Sequence, residues 1–135
     1  MKIRPFSSAS YFWLVRVLVA DAQRDVGAAV AGLVERCGHE VLLVVASGLE
    51  AIQAHARLKP DLVLMDHAMP RLNGATAARM ILAKDPAAKI VIVSATPGAP
   101  SLAETGAIAI LPKPVEMDKL YAALYDAAPA RPERS

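Results

Sequence analysis

At 135 residues, 55% of them hydrophobic and 21% charged, the chain is long enough for one domain with a genuine core, which excludes global disorder. A formal charge of +2, with fifteen Lys and Arg scattered rather than gathered in a stripe, leaves no electrostatic footprint for tracking phosphates, so nucleic acid is not an implied partner. No apolar run approaches the roughly 18 to 20 residues of a membrane span, so a membrane is not implied either.

The first fifteen residues read as an aromatic extension. Phe6, Tyr11, Phe12 and Trp13 are four of the six aromatics in the chain, and their exposure would be costly, so they are expected to pack on their own domain or on another subunit. Lys2 and Arg4 precede this stretch, and Ala20-Asp21-Ala22 has the small-x-small form of a secretory cleavage site. Arg16 interrupts the apolar run, and cleavage after Ala22 would remove a core strand. A signal peptide is therefore rejected, and a soluble, cytoplasmic protein is expected.

Apolar runs rich in Val and Ile follow at Val17–Ala20, Val41–Val45, Leu62–Met65, Ile90–Val93 and Ala107–Leu111. Without alternation they predict strands buried on both faces of a parallel sheet. Between the first two, Val26, Val30, Leu33, Val34 and Cys37 mark the apolar face of a helix stopped by Gly38. Cys37 is alone in the chain, so no internal disulfide forms, and it is expected as a small buried thiol in a reducing compartment. Ser47 and Glu50 have capping-box spacing at the start of a second helix, which ends before Pro60. A third spans Ala75–Lys84 with Ala78, Ile81 and Leu82 facing inward. The last runs from about Glu116 to Ala128 on Leu120, Ala123, Leu124 and Ala127, and residues 129–135 have the composition of a disordered tail.

Strand and helix alternate throughout residues 16–128, which implies an open parallel sheet with helices on both faces, a doubly wound α/β domain. Such sheets bind ligands at the carboxyl ends of their strands. The polar residues there are Asp21, Asp66, Ser94 and Lys113, after the first, third, fourth and fifth strands. Two neighbouring carboxylates suit Mg2+, which keeps several waters and takes one or two protein carboxylates. A lysine and a hydroxyl beside them suit a phosphoryl group carried on one of the acids.

On "VLVADAQ", "PDLVLMDHAMPRLNG", "IVIVSA" and "LPKPVEMDKL", the chain resembles the receiver domains of bacterial two-component response regulators over about residues 16 to 128. The resemblance implies a flavodoxin-like sheet of five strands in the order 2-1-3-4-5. It implies that Asp66 accepts a phosphoryl group from a phosphohistidine, with Ser94 and Lys113 contacting that group, and that the Lys113-Pro114 bond is cis. It also implies Mg2+ held by Asp21, Asp66 and the carbonyl of Ala68. A sensor histidine kinase or histidine phosphotransfer protein, a downstream protein target and a second copy of the chain are the implied partners. The protein would act as a stand-alone, non-enzymatic receiver.

The chain departs from the family pattern in three places. Ala22 stands where the family carries the second acid of an adjacent pair, which implies weakened Mg2+ binding. Ile110 replaces the usual aromatic of the fifth strand. The segment from Ser94 to Gly106 is about three residues short and holds Pro97 and Pro100, so the fourth helix is expected to be a single turn at Ser101–Thr105 or lost. These changes suggest signalling through another surface than the family's usual one, and they keep a second reading alive, a pseudo-receiver working as a phosphorylation-independent interaction module. A haloacid dehalogenase-type phosphatase is disfavoured because Gln23 stands where its second aspartate belongs. A flavodoxin fails because Asp21–Asp25 offers no phosphate loop. The remaining polar residues read as structural: Asp25 opens a helix, Asp61 sits in a turn, His39 and His55 lie in a turn and on a helix surface, and His67 lies in a partly exposed loop.

Overall fold

In the computed structural model, which describes residues 14–95 and 101–129, the apolar runs pair as five parallel strands in the order β2-β1-β3-β4-β5. They are β1 (Arg16–Ala20), β2 (Glu40–Val45), β3 (Leu62–Asp66), β4 (Ile90–Ser94) and β5 (Ala109–Pro112). The helices between them are α1 (Arg24–Arg36), α2 (Gly48–Leu58), α3 (Gly74–Lys84), α4 (Leu102–Thr105) and α5 (Met117–Ala127). The doubly wound sheet and its strand order are those expected, and α4 is the expected single turn. It is closed by a capping box between Ser101 and Glu104. Residues 1–13 of the aromatic extension, Pro97 and Pro100, and all but the first residue of the expected tail lie outside the described residues, whereas Val15, assigned to the extension, is fully buried in the core.

Strand side chains alternate, so the sheet divides the core in two. Val17, Val19, Leu62, Leu64, Val91 and Leu111 pack with Val30 and Val34 of α1 and with Leu120 and Leu124 of α5. Leu18, Ala20, Val63, Met65, Ile90 and Ile92 face the other way, onto Ile52 and Ala54 of α2 and Ala77 and Ile81 of α3. All four apolar positions expected in the last helix are buried.

Burial on both faces holds for β1, β3 and β4 but not for β2. Leu43 and Val44, neighbours that point to opposite faces, are both exposed, because β2 is an edge strand that α1 and α2 only partly cover. β5 begins at Ala109 rather than Ala107, because Thr105 Oγ1 accepts the Ala107 N–H at 3.0 Å and holds that residue in the turn after α4. Cys37 is half-buried rather than enclosed, at the C-terminal cap of α1, and burial still pushes its thiol pKa up.

His39, expected in a turn, and His55, expected on a helix surface, are both buried. His39 is fully enclosed and its Nδ1 accepts the Val15 N–H at 3.0 Å, supplying the partner that this backbone donor needs before β1 begins. His55 lies on the inner side of α2, 6% exposed, with Nε2 3.9 Å from Asp85 Oδ2 at the end of α3. Burial lowers its pKa from the ordinary 6.5, and the nearby Asp85 only partly opposes this. The unfolded chain therefore takes up this proton first, so the contribution is intact above about pH 6.5 and is lost as pH falls below it. His55→Gln is expected to flatten the decline in unfolding free energy between about pH 7 and 5, measured by urea denaturation of both chains.

Candidate functional site

The two-residue period that builds the core also places the chemistry. On the side facing α1 and α5, Val19 is followed by Asp21, Leu64 by Asp66, and Leu111 by Lys113. All three therefore emerge at the carboxyl end of the sheet with the same orientation. Asp21 and Asp66 sit on adjacent strands. Lys113 lies two strands from Asp66, so its long stem must cross the end of β4.

Lys113 Nζ lies 2.9 Å from Asp21 Oδ2 and 3.2 Å from Asp66 Oδ1. Both carboxylates are buried, Asp21 at 4% and Asp66 at 6% exposure. Burial works against the Lys113 ammonium, but its hydrogen bonds and charge interactions with the two acids prevail and raise its pKa above the ordinary value. The remaining contacts are backbone donors. Asp21 Oδ1 accepts the Gln23 N–H at 2.8 Å, and Asp66 Oδ1 accepts the Ala68 N–H at 3.4 Å. Ser94, the last residue of β4, is buried, and its carbonyl accepts the Lys113 N–H at 3.0 Å. Lys113-Pro114 is cis, as the resemblance implied.

The motif after Asp66 closes the floor of the site. Gly74 N–H donates to the His67 carbonyl at 2.9 Å, and Asn73 caps α3 by accepting the Thr76 N–H at 2.9 Å. A Cβ on Gly74 would stand 2.5 Å from the Asp66 carbonyl oxygen, so only glycine lets α3 start this close to the strand end. The loop carries His67, partly buried, with Nδ1 shielded and lacking a hydrogen-bond partner among the described residues.

Asp21, Asp66 and Lys113 thus meet directly, whereas Ser94 and Ala68 join them through backbone hydrogen bonds. Gly27 was not singled out as part of the site, yet a Cβ there would lie 3.1 Å from Val44 Cγ1 and 3.4 Å from Asp21 Cβ. Its signal was a glycine inside a helical pattern. A groove of about 580 Å3 opens beside Lys113, walled by Val26, Ala29 and Leu33 of α1 and by Pro114 and Val115.

Two carboxylates and one ammonium leave one negative charge in a buried site. A hydrated divalent ion suits that set, since Mg2+ needs only one or two protein carboxylates. No cluster of three His, Cys, Asp or Glu side chains suited to a metal occurs among the described residues. The donor set therefore fits Mg2+ at its lower limit, and Asp21 and Asp66 are the side chains that could hold it. Removing the ammonium leaves two buried like charges facing each other. Lys113→Met is expected to destabilise the fold by about 1 to 3 kcal/mol, read by urea unfolding, and Asp21→Asn in the same chain should recover part of the loss.

A family model described as "Response regulator receiver domain" matches residues 17–125. The chain is 30% identical over 118 residues to chemotaxis protein CheY of Listeria monocytogenes, covering 85% of this chain and 99% of that one. It is 41% identical over 108 residues to a protein-glutamate methylesterase/protein-glutamine glutaminase of Geobacter metallireducens, covering 75% of this chain and 31% of that one. The crystal structure of a LuxR-family two-component response regulator from Aurantimonas superposes with a TM-score of 0.79 at 27% identity, covering 87% of each chain. The receiver domain of sensor histidine kinase PA1611 of Pseudomonas aeruginosa, crystallised with magnesium coordinated in its active site cleft, superposes with a TM-score of 0.74 at 24% identity. That match covers 84% of this chain and 96% of that one, and at this identity it speaks for the fold alone.

Proposed function

Because the chain belongs to the response regulator receiver family of two-component signalling, we propose that Asp66 accepts a phosphoryl group from a phosphohistidine on a sensor histidine kinase or histidine phosphotransfer protein. The observation that carries this reading is the Lys113 ammonium lying 3.2 Å from Asp66 Oδ1, inside a site that also holds Asp21. In the transfer, an Asp66 carboxylate oxygen bonds to phosphorus as the phosphorus–nitrogen bond breaks. The electron pair leaves with the imidazole, and an acyl phosphate forms. Lys113 then turns its charge to the phosphoryl oxygens, and Ser94 supplies a hydroxyl donor. Receiver domains bind Mg2+ in their active site, where the ion neutralises phosphoryl charge. In this chain Asp21, Asp66 and the Ala68 carbonyl are the proposed ligands.

Receiver domains are signalling modules, and the longer methylesterase relative has other domains to carry its activity. Action as a stand-alone receiver is supported by the match across nearly all of Listeria CheY. The groove beside Lys113 is apolar and open to a helix of the phosphodonor. Leu102, Ile108, Met117 and Tyr121 stand exposed around α4, β5 and the start of α5, which favours that face for a downstream protein target or a second copy of the chain, rather than the other surface anticipated from Ile110 and the short α4. No helix among the described residues is long and apolar enough to cross a membrane. We place the protein in the cytoplasm, where such kinases present their phosphohistidine.

The second reading, a pseudo-receiver, rests on Ala22. A carboxylate about 4 Å from an ion contributes roughly 4 kcal/mol at an effective dielectric near 20, and desolvation cancels part of it. Its absence is expected to cost about 1 to 3 kcal/mol of Mg2+ affinity, roughly ten- to a hundredfold. Incubation with acetyl phosphate and magnesium should add one phosphoryl group by intact mass, and Asp66→Asn should abolish the adduct. Ala22→Asp should tighten magnesium binding by that factor in a calorimetric titration and speed phosphorylation. No adduct at any donor or magnesium concentration would hand the protein to the pseudo-receiver reading.

A further inference from the structure

The far end of the sheet from Asp66 holds a second cavity, about 380 Å3 between the C-terminal ends of α2 and α3. Buried Ile52 and Ile81, with Ala56, make its apolar wall, and the exposed Lys59 and Lys84 stand at its rim. His55 and Asp85 complete the lining.

The polar part of this lining is not used up by the fold. The His55 side chain is 8% exposed, and its ring makes no hydrogen bond among the described residues, since Asp85 Oδ2 stands 3.9 Å from Nε2. A buried imidazole carries at least one N–H and needs a polar partner for it. An oxygen in the gap can stand about 2.8 Å from both atoms, accepting from the imidazole and donating to the carboxylate. A hydroxyl can do both, whereas a carboxylate oxygen cannot donate.

Lys59 and Lys84 have no acid within ion-pair distance among the described residues. Lys59 also takes left-handed backbone, with φ 47° and ψ 62°, directly after α2, where glycine would stand without strain. Complementing the helix dipole does not require it, because Arg57 already places a cation in the last turn. Two ammoniums against Asp85 leave one positive charge, which suits a monoanion. The negative ends of α2 and α3 disfavour a doubly charged phosphate. At α2 that field is partly offset, since the Arg16 guanidinium donates to the Leu58 and Lys59 carbonyls at 3.1 Å each.

We propose that this cavity binds a small hydroxy acid with a hydrocarbon body. Its carboxylate lies between the Lys59 and Lys84 ammoniums, its hydroxyl bridges His55 and Asp85, and its hydrocarbon packs on Ile52, Ala56 and Ile81. The site is independent of the phosphoacceptor reading, because it shares no residue with the Asp66 site.

The test is NMR titration of the full-length chain with leucic acid, the hydroxy analogue of leucine. The His55 imidazole and the Ile52 and Ile81 methyl resonances are expected to move saturably, with a Kd of about 1 mM. Isocaproic acid, which lacks only the hydroxyl, should bind about tenfold more weakly. Lys59→Gly is accommodated by the left-handed backbone, so it removes the ammonium and keeps the fold, and it should weaken leucic acid about tenfold. Ala56 is exposed on α2, so Ala56→Leu narrows the cavity without touching the core and should abolish the shifts. No saturable shift at about 20 mM leucic acid would overturn the proposal. Equal affinity for leucic and isocaproic acids, the same shifts with inorganic phosphate at equal affinity, or binding unchanged by Lys59→Gly or Ala56→Leu would overturn it as well.

Discussion

The molecule depends on a shared cation. Asp21 follows β1, whose residues after Arg16 are apolar, Asp66 ends β3, whose other residues are wholly apolar, and each acid is buried. Two carboxylates in such a place repel each other and lose hydration, a cost that only a cation between them offsets. Lys113 provides it from two strands away. Positioning its ammonium constrains the end of β5, and the Lys113 N–H is in turn tied to the Ser94 carbonyl. The site is thereby a charge-balancing device before it is a reactive one, and it retains a net negative charge for a further cation.

The same requirement accounts for features around the site that have no charge at all. Gly74 allows α3 to begin against the Asp66 carbonyl, and Gly27 lets α1 lie close to Asp21 and Val44. Asn73 and the His67 carbonyl fix the loop between them. Ala22 sits half-buried, packed against the cluster under α2 and α3.

Much of this was legible in the sequence because it rests on periodicity and punctuation. Unbroken Val/Ile runs marked β1, β3 and β4, Ser47 and Glu50 marked the start of α2, and the Ser94–Gly106 segment, short against the receiver pattern, implied a fourth helix of a single turn or none. The acids and lysine followed as polar residues at strand ends. Long-range partners were not legible. His39 and His55 carry no local mark of burial, since one is enclosed by Val15 arriving from β1 and the other by α3. The exposure of β2 was hidden for a related reason: an edge strand and a central strand share the same apolar composition, and only sheet order separates them. Thr105 holding Ala107 out of β5 is likewise a contact that no composition rule announces.

The central claim is that Lys113 exchanges a carboxylate for a phosphoryl group on Asp66. A crystal structure of the full-length chain with beryllofluoride and magnesium measures it most directly. The account predicts beryllofluoride on an Asp66 oxygen, Lys113 Nζ moved from Asp21 to a fluorine, and the metal between Asp21 and Asp66. Unmodified Asp66 at saturating beryllofluoride, with Lys113 still bridging both acids, would contradict it.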